Sequence, residues 1–351
     1  MNVIIPLLLF LFIAYYFTHI FSHPLGKWVE RFSYYGACLF IVFIAAFRNE
    51  DVGADTSGYM SDYAEVVEMT FQDIVYEYSS YRLYYYLSKI FTMLHLPLWT
   101  WFGFIELVYL SSIVRLINQY SKDRLYSIII FIASGLLLFS FAGLKQTLAM
   151  GFMLHSLLDM MGKKYIRSII LIVAAFFCHP AVLITLFAYP LYGLRHSKSL
   201  PVVVIVLAGL LLFAGFITLT YLVDQLGDEH FEAYLNIDRS YSRKTLYLYL
   251  LMLACTIPFI RAYFKTSDTS RFELACLLLA CCFQNLASYS PSLFRLSYLF
   301  TPFFLVYLPN AFEARKDKDV IYFFFKQSAL LGPVIFQLYA ARDFVFTFAS
   351  Y

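Results

Sequence analysis

Charge is what this chain has least of. Only 14% of its 351 residues are Asp, Glu, Lys or Arg, where a soluble domain carries roughly 25%. That is too little polar surface to coat a water-soluble globule. Several catalytic signatures are missing as well: there is no Walker-type phosphate loop, no Gly-x-Gly-x-x-Gly after a strand, no His-Glu-x-x-His and no Cys-x-x-Cys. ATP hydrolysis, hydride transfer and zinc proteolysis lose support accordingly. The net charge of +3 is too small to imply a nucleic-acid partner. The six cysteines (Cys38, Cys178, Cys255, Cys276, Cys281, Cys282) all sit in apolar runs, so they read as small hydrophobes rather than as a disulfide framework or a metal site.

What is present is oil. The chain is 61% hydrophobic and 20% aromatic, with a mean hydropathy of +0.70. A spanning helix needs about 20 apolar residues, with a range of roughly 17–25. Ten runs near that length are candidate spans: 3–21, 32–47, 98–117, 125–142, 144–161, 200–222, 244–264, 271–289, 292–309 and 321–340. Two shorter ones, 166–178 and 180–194, flank Cys178-His179-Pro180 as a hairpin. The first run has no basic residue before it and no small-x-small cleavage site, so it reads as a retained span. The fold expected is therefore all-α: a polytopic transmembrane helical bundle of about 12 spans, in a single integral membrane domain over 1–351.

Lysine and arginine in short loops orient such a bundle. Residues 161–167, MGKKYIR, are the clearest cytoplasmic anchor. Alternating outward from them places both termini and the loops 48–97 and 223–243 on the outer face. Residues 48–77 hold eight acids against one arginine. Within 48–97, the stretch 71–94 looks helical, yet counting it as a span would reverse every later loop. Its tyrosines (Tyr76, Tyr78, Tyr81, Tyr84, Tyr85, Tyr86) are interfacial residues, so it reads as an amphipathic helix on the outer surface. The same six rings also fit a sugar-stacking platform.

This topology gathers the unusual polar residues on one side. Arg48, Asp55, Lys145, His179 and Arg295 all fall at outer ends of spans and are expected to face one outer cavity. Charges at membrane depth are expensive and mark functional sites by default, and Arg and Lys bind phosphate as a planar fork and a point charge. Each residue also has a plainer reading. Lys145 and Arg295 fit snorkelling to head groups. His179 before a proline fits a loop cap. Asp55 and Gly53 fit an ordinary turn. His155 and Asp159, four apart on one helix, fit a structural polar pair. No Asp-x-Asp occurs in a loop assigned to the outer face, so a metal-dependent nucleotide-sugar enzyme has no obvious ligand set.

The order of these motifs resembles the EpsG branch of the Wzy-type polysaccharide polymerases. FRNEDVGADTSGY (47–59) is similar to that family's Arg-x-x-x-Val-Gly-x-Asp…Tyr loop after the second span. FAGLKQTLAMGFMLHSL (141–157) resembles its Arg-Gln-x-x-Ala helix, with Lys145 where Arg is usual. KKYIRSIILIVAAFFCHPAVLITLFAYPL (163–191) is similar to its basic turn and the span ending in Ala-x-x-Phe-His, and FRLSYLF (294–300) to its late arginine–aromatic segment. Lys at 145 departs from the pattern and offers a point charge where Arg would offer a fork.

The resemblance implies a metal-independent, cofactor-free glycosyltransferase of the multi-span GT-C-like group, sited in the bacterial cytoplasmic membrane. It would move a growing glycan from polyprenyl diphosphate onto a lipid-linked oligosaccharide repeat unit, building O-antigen, capsule or exopolysaccharide. Its partners would be those lipid-linked oligosaccharides, the bilayer and a chain-length regulator. For that chemistry Arg48, Lys145 and Arg295 are candidates to hold the diphosphate, and His179 or Asp55 to accept the hydroxyl proton. Gly53 would let the loop turn closely, with Tyr59, Gln146 and Tyr298 orienting the substrate. Two alternatives stay open. A flippase for lipid-linked sugars would use the same cations, yet should show polar groups through the full membrane depth. A glycan-modifying membrane acyltransferase would use His179.

Overall fold

The computed structural model describes residues 3–20, 24–207, 209–210, 240–287, 293–315, 318–340 and 347. Every regular element among them is helical. The chain groups into two compact units, one of Met1–Ile184 with Val334–Tyr351 and one of Thr185–Pro333.

Among its described residues the first unit holds, besides the end of helix Val320–Ala340, the helices α1 (Ile4–Ile20), α2 (Leu25–Ala46), α3 (Thr56–Glu68), α4 (Phe71–Glu77), α5 (Arg82–Met93), α6 (Leu98–Tyr120), α7 (Arg124–Ala133), α8 (Leu136–Ala142), α9 (Leu144–Met161) and α10 (Tyr165–Cys178). The apolar runs set most of them, and α9 has the bounds its run predicts. The start of α2 differs: no second proline follows Pro24 in α2, and the helix runs through Lys27, Glu30 and Arg31 before the apolar stretch begins. Pattern marks where apolar side chains start, whereas backbone breakers mark where helices start.

Run 125–142 is not one straight helix. Gly135 adopts φ +84°, a left-handed geometry that ends α7, and α8 leaves at 50°. The broken backbone is tolerated because Leu125 to Ala133 are all buried, away from lipid. By contrast α1, α2 and α10 leave large side chains open, among them Ile13, Leu39 and Ile166, as suits helices that face lipid. Helix α9 packs closely on α6 because Gly151 has no side chain; a Cβ there would lie 2.9 Å from Val108. At the far end of α9 the fully buried Asp159 accepts from Arg115 of α6 (2.6 Å) and pairs with Arg167 of α10 (2.9 Å). His155 joins through its Nδ1, 3.4 Å from Arg115. The pair expected from spacing is thus the hub of a four-residue network tying three helices.

Residues 71–94 split into α4 and α5 at Tyr78–Tyr81. A capping box on Thr70 and Asp73 starts α4, and the backbone and hydroxyl bonds from Thr70 hold the exposed Asp73 carboxyl below its usual pKa. Helix α5 has 12 residues, about 18 Å at 1.5 Å per residue, against a hydrocarbon core of about 30 Å.

The second unit contains helices Ser240–Thr256, Ile260–Thr266, Ser270–Leu286, Phe294–Tyr298 and Phe304–Glu313, and most of Val320–Ala340. The expected run 292–309 is broken by a 3-10 turn at Thr301–Phe303, where Pro302 removes a backbone donor. Most of the expected outer loop 223–243 and of the run 200–222 lies outside the described residues; residues 240–243 of that loop are the first turn of the helix Ser240–Thr256. By length and composition, four helices among the described residues can cross a membrane: Leu25–Ala46, Leu98–Tyr120, Arg243–Thr266 and Val320–Tyr339. There are five if the bent 124–142 pair is one span. Shorter apolar helices such as Ile4–Ile20 and Tyr165–Cys178 stand beside them. The six cysteines are buried thiols.

Candidate functional site

The loop after α2 is built around Gly53. Its φ is +96°, and a Cβ there would lie 2.6 Å from the Phe141 carbonyl oxygen and 2.9 Å from Thr56 Oγ1. Only glycine satisfies both the backbone angle and the contact. The docking is sealed by Thr56, buried, whose hydroxyl donates to Val52 O (2.5 Å) and lies 3.3 Å from Phe141 O. The start of α3 is thereby fixed against the end of α8, three residues before Lys145.

Lys145 is the second residue of α9. The positive end of the helix dipole makes that a poor place for a cation and a good one for an anion. The structure answers with a carboxylate and four rings. Lys145 Nζ donates to Tyr85 Oη (2.5 Å) and lies 3.2 Å from Asp62 Oδ2. Tyr85 Oη in turn donates to Asp62 Oδ2 (2.7 Å). The ring centroids of Tyr85, Tyr81, Tyr59 and Tyr84 lie 4.7, 5.1, 5.4 and 5.8 Å from the ammonium, within cation–π reach. Tyr78 stacks on Tyr85 with centroids 3.6 Å apart and donates to Glu65. Burial, then the Glu65 and Asp62 charges, push the Tyr78 hydroxyl up to about 12. Burial and the bond to Asp62 raise Tyr85 further, so both tyrosines are donors at neutral pH. The side chains of Lys145 and Asp62 remain 19% and 27% exposed, enough for a ligand to reach either.

His179 caps α10 in an extended conformation, its ring 5.5 Å from Tyr81. Its Nδ1 accepts the Ala181 N–H at 3.3 Å. An N–H can only donate, so the neutral ring carries its proton on Nε2. His179 is thereby set to donate to an oxygen.

The other candidates are placed differently. Arg48 is fully buried: its Nη1 donates to Ala45 O (2.6 Å), and its guanidinium lies 4.3 Å from the Phe102 ring and 5.5 Å from Phe141. Its charge acts on Glu106, a carboxylate buried one turn along α6 from Phe102. Arg48 thus sits inside the wall that carries Phe141, rather than on an open surface. Gln146 is buried beside Lys145 in the chain, and Asp55 is exposed at the start of α3, where its side chain makes no capping bond. In the second unit Arg295 is exposed on Phe294–Tyr298, while Tyr298 is buried edge-on to Phe294 at 5.8 Å.

Lys145, Tyr59 and His179 therefore share one cluster, and Gly53 supports it. Sequence reasoning did not single out Asp62, Glu65 or Glu106. A signal existed for the first: Tyr59 and Asp62 are three apart on α3, and Tyr81, Tyr84 and Tyr85 are three and four apart, so each set lies on one helical face. Chemically, the cluster offers one cation, a hydroxyl donor, an imidazole donor, aromatic faces and a carboxylate.

No curated protein and no solved structure matches this chain. The family model described as "EpsG family" matches residues 31–350. That match takes in the Gly53 loop, the Lys145 cluster and both units, and with it the chain belongs to the EpsG family, a family of Wzy-type polymerases.

Proposed function

We propose that the protein is a polysaccharide polymerase that transfers a growing glycan from polyprenyl diphosphate onto a lipid-linked oligosaccharide repeat unit. The observation that carries this reading is the partly exposed Lys145, at a helix N-terminus, held by Asp62 and Tyr85 inside a ring of tyrosines. A cation at the positive end of a helix invites an anion, and a departing lipid diphosphate is one. Its growing negative charge is met by an ammonium already in place, and such electrostatic terms are usually the largest in catalysis. The tyrosine faces suit sugar rings. His179, donating from Nε2, suits a phosphate or sugar oxygen. Arg48 supports the site from behind by holding the wall at Phe141 and Phe102. In the same reading Arg295 binds diphosphate and Tyr298 orients substrate.

The same proposal includes about twelve crossings, a GT-C-like arrangement, the outer face of the bacterial cytoplasmic membrane as the place of reaction, and chemistry without a metal. Lys145, Arg295 and His179 support the last point by supplying the positive charge and donors that a metal would otherwise give. The deciding experiment is the surface glycan of a deletion strain, run on a gel. A ladder collapsed to a single repeat unit, restored by the wild-type chain but not by Lys145→Ala, is the outcome expected. Complete loss of exported repeats would point to a flippase instead.

A further inference from the structure

We infer that Asp62 is the carboxylate that accepts the proton of the attacking sugar hydroxyl, and that in the resting protein it serves as a stand-in anion on Lys145. The inference rests on the polymerase reading of the same site and adds the missing base.

Three observations support it. First, both contacts to the carboxylate fall on one oxygen. Tyr85 Oη (2.7 Å) and Lys145 Nζ (3.2 Å) meet Oδ2, and Oδ1 has no partner among the described residues. A carboxylate pinned through one oxygen keeps its other oxygen oriented for a substrate O–H. Second, the pinning residues are themselves fixed. Tyr85 is stacked on Tyr78, and Lys145 is surrounded by four rings. Third, the other two candidates fit the role less well. His179 Nδ1 is occupied by the Ala181 N–H, so its Nε2–H donates where a base must accept. Asp55 is exposed at the start of α3, seven residues before Asp62 in the chain. Asp62 lies two helical turns further along, directly on the cation.

The exchange of partners explains why the base is silent until substrate arrives. A diphosphate has more charge and more acceptor oxygens than one carboxylate, so it draws Lys145 away from Asp62. Stripped of its cation, the carboxylate becomes the better proton acceptor. The acceptor hydroxyl oxygen then attacks the anomeric carbon. A new carbon–oxygen bond forms as the bond from that carbon to the phosphate oxygen breaks. The electron pair leaves on the lipid diphosphate beside Lys145, and the hydroxyl proton passes to Asp62 Oδ1. Asp62 afterwards releases the proton to water through its exposed side.

The test uses purified full-length protein with two readouts. One is chain growth on a lipid-linked repeat unit; the other is binding of geranylgeranyl diphosphate as probe. Asp62→Asn keeps an oxygen that can accept from Tyr85 and Lys145, so it should fold as wild type. Its turnover should fall by about 10²–10³, within the range for loss of a general base, while the probe binds as well or more tightly because Lys145 has lost its resident anion. Lys145→Gln should lose probe binding. Turnover of Asp62→Asn within about threefold of wild type would remove the base role. Parallel loss of binding and turnover in Asp62→Asn would reduce Asp62 to a structural ion pair. A wild type that binds the probe but builds no chain would overturn the polymerase reading, and the base role with it.

Discussion

Lys145 Nζ lies 2.5 Å from Tyr85 Oη, and that hydroxyl passes its own proton towards Asp62 at 2.7 Å. The tyrosine is therefore a relay of orientation between cation and carboxylate. Tyr85→Phe removes both bonds but keeps the ring that stacks on Tyr78. A hydrogen bond to a charged group contributes about 1.5–3 kcal/mol. Both partners are partly exposed here, so the low end applies to stability. Turnover is expected to suffer more than folding. A thermal melt in detergent beside a chain-growth assay separates the two: a large drop in midpoint with unchanged turnover per folded molecule would show a purely structural tyrosine.

The cage also predicts how position 145 tolerates change. Lys145→Arg keeps the charge, and a guanidinium stacks on aromatic faces, so most of the activity is expected to remain. Lys145→Ala leaves Asp62 without its cation and the diphosphate without its counter-charge. Loss of one such contact in the transition state is worth on the order of 2–4 kcal/mol, or about 10²–10³ in rate. The comparison is kcat for both variants, normalised to folded protein. Equal activity of the Ala and Arg variants would return Lys145 to a snorkelling role.

Two glycines only five residues apart should behave in opposite ways. Gly53 holds φ +96° with a backbone oxygen 2.6 Å from any Cβ, whereas Gly58 lies in α3 with nothing within 4 Å. Gly53→Ala combines a strained backbone with a clash and is expected to cost about 1–3 kcal/mol. Gly58→Ala replaces the poorest ordinary helix former by the best and should add about 0.5–1 kcal/mol. Melting temperatures of the two variants, measured side by side, test the pair. A neutral Gly53→Ala would mean that the loop does not dock on Phe141 as described.

Much of this was legible in the sequence, and the remainder has identifiable causes. Helix α9 and its Lys145 follow from an unbroken apolar run after a glycine. Gly53 was legible as a turn, but not as the docking point on Phe141, because that contact joins residues 88 apart in the chain. Arg48 looked like a surface cation since it ends an apolar run; Phe102 and Phe141, distant in sequence, enclose it. The tyrosines of 71–94 looked like an interface belt because a sequence shows how many rings there are but not what they surround. The bend at Gly135 and the break at Pro302 were written in the breakers, yet the apolar run around each concealed them.

At the opposite end of α9, Asp159 is wholly buried with Arg115 and Arg167 on its two oxygens. Removing one partner of such a pair is costly because the other charge stays in place. Asp159→Asn should cost about 3 kcal/mol, while Arg167→Ala, taken from a residue 62% exposed, should cost under about 1 kcal/mol. Chemical unfolding in detergent would show the order. If the two variants were equally stable, the hub would contribute nothing specific.

The last prediction concerns acid. Glu313 lies at the end of Phe304–Glu313, beyond the apolar run that would cross the membrane. Burial alone would raise its pKa, but Lys326, Tyr322 and Lys318 outweigh burial and hold it down to about 2. Lys326 is 3.0 Å away, Tyr322 2.9 Å and Lys318 3.1 Å. The ordinary value for this carboxyl is 4.5. A folded pKa below the unfolded one means that the unfolded chain binds the proton first. The stabilisation is therefore fully present above about pH 4.5 and is lost as pH falls through about 2. With a side chain 22% exposed, the contribution is on the order of 3 kcal/mol at most. Glu313→Gln should be less stable than wild type at pH 7. It should also lack the steep part of the wild-type stability curve between about pH 4.5 and 2, whatever the other carboxylates contribute to both. Unfolding midpoints of the two proteins across that window give the test. Parallel curves would show that Glu313 is not held by its lysines, and that Phe304–Glu313 and Val320–Ala340 are joined there by apolar packing alone.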